Sequence, residues 1–313
     1  MTRQPLSHAA LALLVALAAG LPTWAETADA ANAPNAADPA WDRAAKTEIR
    51  AFTEPDADPA ELSEELRGAA AIFLGVAEAP GGDPNGYWRA ARAEWLSGEL
   101  LPLGDDDAKL ERFERAKSLA QRGIDANPDC GECMMWKFSA MARVATTRGL
   151  LSAVRQAREM GELLDRGIEL QPTHDDGPGS STLGNLYYAS ANFNRVVPDS
   201  IWVKWILGVR GDKEKGLAHS RKALELHPDR LDYRVEVGTQ LLCLGSTKKK
   251  KRAHLEEGRA MLESIAHLPG SNEDERREIY FANQLLEDSG KACGYTGDKL
   301  VDIDAEQQKH ANQ

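Results

Sequence analysis

Two cysteines separated by two residues form the sharpest local motif of the chain, Cys130-Gly131-Glu132-Cys133. Asp129 is predicted to cap a helix, which would place Cys130 in its first turn and Cys133 one turn later. A thiolate in this position would be stabilised by the helix dipole and the free N–H groups, as in redox proteins. Redox domains of that type place the motif after a β-strand, and no strand is predicted here. A structural disulfide is therefore the main prediction, with inert or separately paired thiols and redox chemistry as alternatives.

The other two of the four cysteines, Cys243 and Cys293, lie far apart in the sequence. An even number of cysteines in an exported protein makes disulfides the default expectation. Cys243 ends one predicted helix and Cys293 follows the last long helix. A bridge between them would join neighbouring hairpins and stabilise the domain by about 2–4 kcal/mol. The sequence does not fix this connectivity, so other pairings stay open.

The sequence contains no recognisable catalytic constellation. Its seven histidines are scattered, with no His-Glu-x-x-His motif and no pair at metal-ligand spacing. The loop His174-Asp175-Asp176 offers groups that bind cations, but it is too isolated to predict a metal site. The serine-nucleophile, phosphate-loop and dinucleotide-binding signatures are also missing. We therefore expect a protein that is not an enzyme and that needs no cofactor or metal.

The N-terminal residues are typical of an export signal. Arg3 supplies a positive charge, residues 9–21 are an apolar run, and Ala25 closes a short segment of the kind that a signal peptidase cleaves. We predict a signal peptide over 1–25 and a flexible linker over 26–40, followed by a helical domain over 41–298 and a polar tail over 299–313. The mature protein is expected to be periplasmic or secreted, with no integral membrane segment.

The formal net charge of the chain is −11. An acidic surface repels phosphate backbones, so a nucleic-acid partner is not expected.

A short sequence motif, which we call the proline motif, recurs along the chain and decides the predicted fold. It has a small residue five positions before a proline, at the end of a segment with helical periodicity. The small residue allows a neighbouring helix to approach closely, and the proline ends the helix. The copies are Arg-Gly-Ile-Asp-Ala-Asn-Pro at 122–128, Arg-Gly-Ile-Glu-Leu-Gln-Pro at 166–172 and Lys-Ala-Leu-Glu-Leu-His-Pro at 222–228, with a weaker copy ending at Pro269.

The segment before each proline motif is predicted to form the first helix of a pair. Leu183-Gly184-Asn185-Leu186-Tyr187 has the Leu-Gly-x-x-Tyr spacing of a tetratricopeptide first helix. Three tryptophans fall on equivalent positions of earlier helices and are expected to be packing residues: Trp88, Trp95 and Trp136.

An insertion between Tyr188 and Asp212 makes one repeat longer than the others. It is predicted to contain a helix capped by Asp199, with one apolar face formed by Ile201, Trp202, Trp205 and Ile206. The two tryptophans have two interpretations. They either pack the insertion onto the repeats, or they line a groove for an apolar ligand together with Tyr187 and Tyr188.

Five consecutive basic residues interrupt an otherwise acidic sequence. A run of this kind between two helices is able to contact an anionic lipid headgroup or an acidic partner. The alternative is a solvated turn. The run consists of Lys248, Lys249, Lys250, Lys251 and Arg252.

Over roughly 87–295 the chain resembles the tetratricopeptide-like domain of the regulator of microtubule dynamics family. It is similar, more distantly, to the periplasmic T component of some TRAP transporters. The resemblance depends on Trp136, the long helical stretch over 148–164, the tetratricopeptide spacing over 183–187 and the order of the proline motifs. It implies a helical scaffold with a concave groove and no catalytic residues. Eukaryotic relatives associate with protein partners or lipids, and the transporter relatives work beside a substrate-binding protein. The predicted export signal does not fit the setting of the eukaryotic relatives, so we do not assign a cytoskeletal role to this chain.

The sequence thus predicts an all-α fold. We expect a tetratricopeptide-like α-solenoid of about four to five helical hairpins in a right-handed superhelix, ended by a long helix from Asn272 to about Asp288. The expected function is an exported, non-enzymatic binding scaffold or adaptor whose groove holds a protein, peptide or small ligand. The alternatives are a periplasmic lipid or small-molecule carrier associated with transport, and a thiol-redox protein that uses the CxxC pair. The sequence identifies neither the partner nor the oligomeric state.

Overall fold

The structure is a computed structural model that describes residues 39–54, 57–102, 104–148, 150–177, 180–247, 252–270 and 273–295. In these ranges the chain forms twelve α-helices, a C-terminal 3-10 helix and a two-stranded hairpin, which confirms the predicted all-α class. The α-helices are α1 (Pro39–Thr53), α2 (Pro59–Glu78), α3 (Asn85–Glu99), α4 (Asp106–Ala126), α5 (Gly131–Arg148), α6 (Leu150–Glu169), α7 (Thr182–Val196), α8 (Ile201–Leu207), α9 (Lys213–Leu226), α10 (Leu231–Thr247), α11 (Arg252–Ala266) and α12 (Glu273–Glu287). The strands β1 (Asp175–Gly177) and β2 (Ser180–Ser181) lie between α6 and α7, and the 3-10 helix spans Ser289–Gly294.

The described chain divides into two compact units. The N-terminal unit extends from α1 to Thr147 and also contains Glu159–Leu186. The C-terminal unit contains Arg148–Arg158 and the residues from Tyr187 onward. In the N-terminal unit α2 packs on α3 and α3 packs on α4, whereas in the C-terminal unit α10 packs on α9, α11 and the 3-10 helix.

Each of the four recurring prolines follows the end of a helix, as the sequence predicts. Helix α4 ends before Pro128, α6 before Pro172, α9 before Pro228 and α11 before Pro269. A proline lacks the N–H group that would continue the helical ladder, so the chain turns at these points. Two of the predicted hairpins are seen directly, because α3 packs on α4 and α10 packs on α11, and α8 lies in the predicted insertion.

The small residue before each proline marks a close approach between helices. A Cβ atom added at Gly123 would lie 2.5 Å from Sγ of Cys133, and one added at Gly167 would lie 2.9 Å from Cδ2 of Leu186. Ala223 of the third copy is completely buried. The predicted role of these small side chains is confirmed.

Adding a methyl group at Gly123 is expected to lower the stability of the N-terminal unit. We expect Gly123→Ala to cost about 1–3 kcal/mol, because the sulfur atom that the new Cβ meets is held in a disulfide and cannot move away. The same change at Gly68, an exposed helical position with nothing near its Cβ, should instead stabilise the protein by about 0.5–1 kcal/mol. Thermal unfolding of the two variants checks this contrast, and a rise in melting temperature for both would contradict the packing argument.

Two of the predicted helix caps are wrong. Helix α5 begins one residue later than predicted, with Cys130 rather than Asp129 immediately before it, because Cys130 O accepts the first helical bond from Met134 N at 3.2 Å. Helix α8 has Ser200 rather than Asp199 at its N-cap, with no capping bond from the side chain. Asp212 does cap α9, since its carboxylate accepts from the N–H groups of Glu214 and Lys215.

The expected packing role of the repeat tryptophans is confirmed for Trp88, Trp95 and Trp136, all of which are buried. Helix α1 begins at Pro39, so the last two residues of the predicted linker are helical. The predicted signal peptide and C-terminal tail lie outside the described residues. Among the helices that are described, none is both long enough and apolar enough to cross a membrane.

Candidate binding sites

All four cysteines of the chain are joined in disulfides. The sulfur atoms of Cys130 and Cys133 are 2.04 Å apart, and those of Cys243 and Cys293 are 2.09 Å apart. The second bridge connects α10 with the C-terminal 3-10 helix, across 50 residues of sequence. Both pairings agree with the sequence-based expectation.

The Cys130–Cys133 disulfide is enclosed by packing on both sides. Both cysteines are buried, and Cys133 lies against Gly123 of α4. The ring of Pro172 contacts Gly131, which lies between the two cysteines. Thiol exchange requires a second thiolate to reach one of the sulfur atoms. This burial favours the structural interpretation of the motif over the redox one.

A buried arginine organises the C-terminal unit. Nε and Nη2 of Arg195 on α7 each donate to the carboxylate of Glu236 on α10 at 2.9 Å. Nη1 donates to the main-chain carbonyl oxygens of Ala292 at 2.8 Å and of Tyr295 at 2.6 Å. Nη2 also donates to Oδ1 of Asn192 at 2.9 Å. The guanidinium therefore attaches the C-terminal segment to α7 and α10.

We call Arg195 and its acceptors the C-terminal clamp. Aromatic side chains pack together in the same unit. The ring of Tyr188 stacks on that of Tyr233 at 5.1 Å, and the guanidinium of Arg230 lies 4.1 Å from the centre of the Tyr233 ring. Burial raises the pKa of Tyr188 and of Tyr295 well above the ordinary value, and the negative charge of Glu278 acts in the same direction. Both phenols are therefore neutral at physiological pH and are not available as bases or nucleophiles.

A second buried cluster, which we call the Trp/Arg cluster, lies in the N-terminal unit. It consists of Arg92, Trp95 and Glu99 on α3 and of Trp136 and Arg143 on α5. The two indole rings are 5.7 Å apart. The guanidinium of Arg92 lies 5.6 Å from the Trp136 ring centre, and that of Arg143 lies 5.8 Å from the Trp95 ring centre. Nη2 of Arg143 also donates to the carboxylate of Glu99.

The buried N–H groups of the Trp/Arg cluster that have no acceptor within the described part of the chain include Nε1 of Trp95, Nε1 of Trp136 and Nε of Arg143. Buried donors are nearly always hydrogen-bonded in native proteins, so each of these needs an explanation. Sequence reasoning assigned the two tryptophans to packing alone and missed Arg143, Arg195 and Glu236, because a hydrogen-bond inventory requires coordinates.

The predicted groove residues lie in different surroundings. Tyr187 makes its ring contact with His219 at 5.2 Å, whereas Tyr188 stacks on Tyr233. Trp202 and Trp205 on α8 are 73% and 83% exposed. The interpretation that these two tryptophans pack the insertion onto the repeats is therefore wrong, because most of each indole surface faces solvent.

The structure describes one of the five residues in the predicted basic run. Lys248, Lys249, Lys250 and Lys251 lie outside the described residues. Arg252 begins α11, is exposed, and donates through Nε to Oε1 of Glu256 at 3.0 Å.

The comparison with protein families covers most of this architecture. The family model for regulator of microtubule dynamics protein 1-3 matches residues 56–289. The chain belongs to this family. For this member of the regulator of microtubule dynamics family, the matched range includes both cysteines of the CxxC pair, the Trp/Arg cluster, helix α8 and the arginine of the C-terminal clamp. No curated protein matches the chain.

Proposed function

We propose that the chain is an exported, non-enzymatic binding scaffold whose tetratricopeptide-like hairpins hold a protein or peptide partner. The observation that carries this proposal is the set of three buried donors in the Trp/Arg cluster: the indole N–H groups of Trp95 and Trp136 and the Nε–H group of Arg143. Leaving a buried donor unpaired costs about 1–3 kcal/mol. Because protein atoms cover all three donors, the partner has to displace side chains around the cluster before its acceptors can reach them.

An arginine of the C-terminal unit indicates which chemical groups suit the donors of the Trp/Arg cluster. There, Arg195 donates to two main-chain carbonyl oxygens near the end of the C-terminal 3-10 helix. A peptide offers the same oxygen atoms along its backbone and a carboxylate at its end. Carboxylates also match the planar donor set of an arginine. A peptide segment with a carboxylate is thus the partner that the Trp/Arg cluster suits best.

The export part of the proposal is supported by cysteine usage. Disulfides persist in oxidising compartments and are rare in the cytosol, and this chain has two. Together with the apolar N-terminal sequence, this favours a periplasmic or secreted location.

Removing one of the three donors should weaken peptide binding without harming the fold. We expect Trp136→Phe to reduce affinity for carboxylate-bearing peptides roughly tenfold, since it removes one N–H donor and keeps an aromatic ring. Peptides would be selected from a random library with free C-terminal carboxylates, and their dissociation constants measured by calorimetry. The melting temperature of the unbound variant should fall only as far as the smaller ring leaves a cavity, because that N–H group has no acceptor to lose.

Trp88→Phe is the matched control for this experiment. It removes an indole N–H group that is already bonded to Oδ1 of Asn85 at 3.1 Å, so peptide affinity should be unchanged. Failure to select any peptide, or an equal loss of affinity in both variants, would contradict the proposed site.

A further inference from the structure

Helix α8 presents a compact apolar surface to solvent. Ile201 is 58% exposed, Trp202 is 73% exposed and Trp205 is 83% exposed, and we call these three side chains the α8 surface. The other tryptophans in the described ranges, at positions 41, 88, 95 and 136, are all buried. The exposure of two large indoles is therefore specific to the insertion.

The insertion that carries α8 is closed and anchored at its base. The N–H group of Gly211 donates to the carbonyl oxygen of Pro198 at 3.2 Å, and Asp212 N donates to Oδ1 of Asn194 at 3.1 Å. Helix α8 itself ends at Leu207 and is followed by its C-cap Gly208, whose positive φ of 72° suits a residue without a side chain. A Cβ atom at Gly211 would lie only 2.0 Å from the carbonyl oxygen of Val197, so the base of the loop is tightly packed. The tryptophans are thus presented on a fixed support.

The size of the α8 surface argues against a stable interface with a second copy of the chain. Two tryptophans and an isoleucine at these exposures offer about 500 Å². A standard protein–protein interface needs about 800 Å² on each side. The surface is also nearly uncharged, since Lys204 is the one ionisable residue between Ile201 and Leu207.

The chemistry of the α8 surface matches the boundary between lipid and water. Tryptophan concentrates at this boundary because its ring is apolar and its N–H group still reaches water. The stem of Lys204 can cover apolar surface while its ammonium group stays among the headgroups. We propose that the α8 surface inserts into the outer layer of a lipid membrane and holds the scaffold there. This inference goes beyond the proposed peptide site and uses none of its residues.

The charge of the protein determines which membranes it should prefer. With a formal net charge of −11, the chain is repelled by anionic lipid, so insertion depends on apolar contact. Binding to vesicles of the zwitterionic lipid phosphatidylcholine should therefore be equal to or stronger than binding to vesicles enriched in phosphatidylglycerol. It should also persist at high salt, which screens only the electrostatic contribution.

Vesicle flotation of the purified protein tests the proposal. Wild-type protein should float with phosphatidylcholine vesicles, and brominated acyl chains should quench part of its tryptophan fluorescence. Trp202→Ala/Trp205→Ala should lower the partition coefficient by roughly tenfold or more and remove the quenching. Leu226→Ala/Leu268→Ala, which removes two other exposed apolar side chains, is the control and should bind as the wild type does.

Three outcomes would overturn the inference. The first is absence of wild-type flotation. The second is binding that requires phosphatidylglycerol and disappears at high salt, which would assign the contact to basic residues such as Lys248–Lys251. The third is a dimer in sedimentation that the double tryptophan variant abolishes, which would make α8 an interface between copies. Peptide affinity of the double variant should be normal, so failure here is distinguishable from failure of the peptide site.

Discussion

Arg195→Ala is expected to lower the free energy of unfolding of the C-terminal unit by about 3–5 kcal/mol. The carboxylate of Glu236 would remain buried without its bidentate partner, and the carbonyl oxygens of Ala292 and Tyr295 would lose their common donor. Thermal unfolding measures the loss of stability. Limited proteolysis should show earlier cleavage in the segment over 289–295, because the guanidinium no longer attaches it to α7 and α10.

The control for this variant is Arg221→Ala. Arg221 also pairs with a glutamate on another helix, Glu257, but both side chains are about half exposed, and the pair should contribute no more than about 1 kcal/mol. Replacing both members of the buried pair, as in Arg195→Met/Glu236→Leu, should be less damaging than Arg195→Ala, because no unpaired charge is left behind. Equal losses of stability in Arg195→Ala and Arg221→Ala would contradict the proposed role of Arg195 in holding the C-terminal segment.

Removing the Cys243–Cys293 disulfide is expected to cost roughly 4 kcal/mol in the Cys243→Ser/Cys293→Ser variant. The bridge closes a loop across 50 residues, so it greatly restricts the unfolded chain. The Cys130–Cys133 bridge closes a much shorter loop. Its removal in Cys130→Ser/Cys133→Ser should therefore cost only roughly 2 kcal/mol. Chemical denaturation of the two variants gives the comparison directly.

The CxxC variant also separates a structural role from a redox role. If the disulfide is structural, Cys130→Ser/Cys133→Ser changes stability alone, and peptide and vesicle binding remain normal. Disulfide reductase or isomerase activity in the wild type that this variant lacks would support the redox alternative. A larger loss of stability from the short bridge than from the long one would contradict the loop-closure argument.

The helical order of the chain could be predicted because its signals are local. A proline ends a helix wherever it stands, and a glycine or alanine five residues earlier reports a close helix contact, as at Gly123 and Gly167. The alternation of paired helices follows from these signals alone. The caps at Cys130 and Ser200 were missed because neighbouring residues compete for one cap position, and a shift of one residue hardly changes the pattern.

The binding sites were less predictable because their residues meet across long stretches of sequence. Arg195 and the carbonyl oxygen of Ala292 are 97 residues apart, and a main-chain acceptor has no signature in the sequence. For Trp202 and Trp205 the helical pattern correctly predicted one apolar face. That pattern is the same whether the face contacts protein or solvent, so it did not reveal their exposure.

The order in which the chain is synthesised gives the C-terminal clamp a further consequence. Arg195 leaves the ribosome 97 residues before Ala292, and Cys243 leaves it 50 residues before Cys293. The residues of α7 and α10 are therefore made before the segment that completes their buried face. A translation product interrupted before residue 292 lacks both the carbonyl acceptors and the disulfide partner. We therefore expect proteases to cleave such an interrupted chain faster than the finished one, because this face stays open.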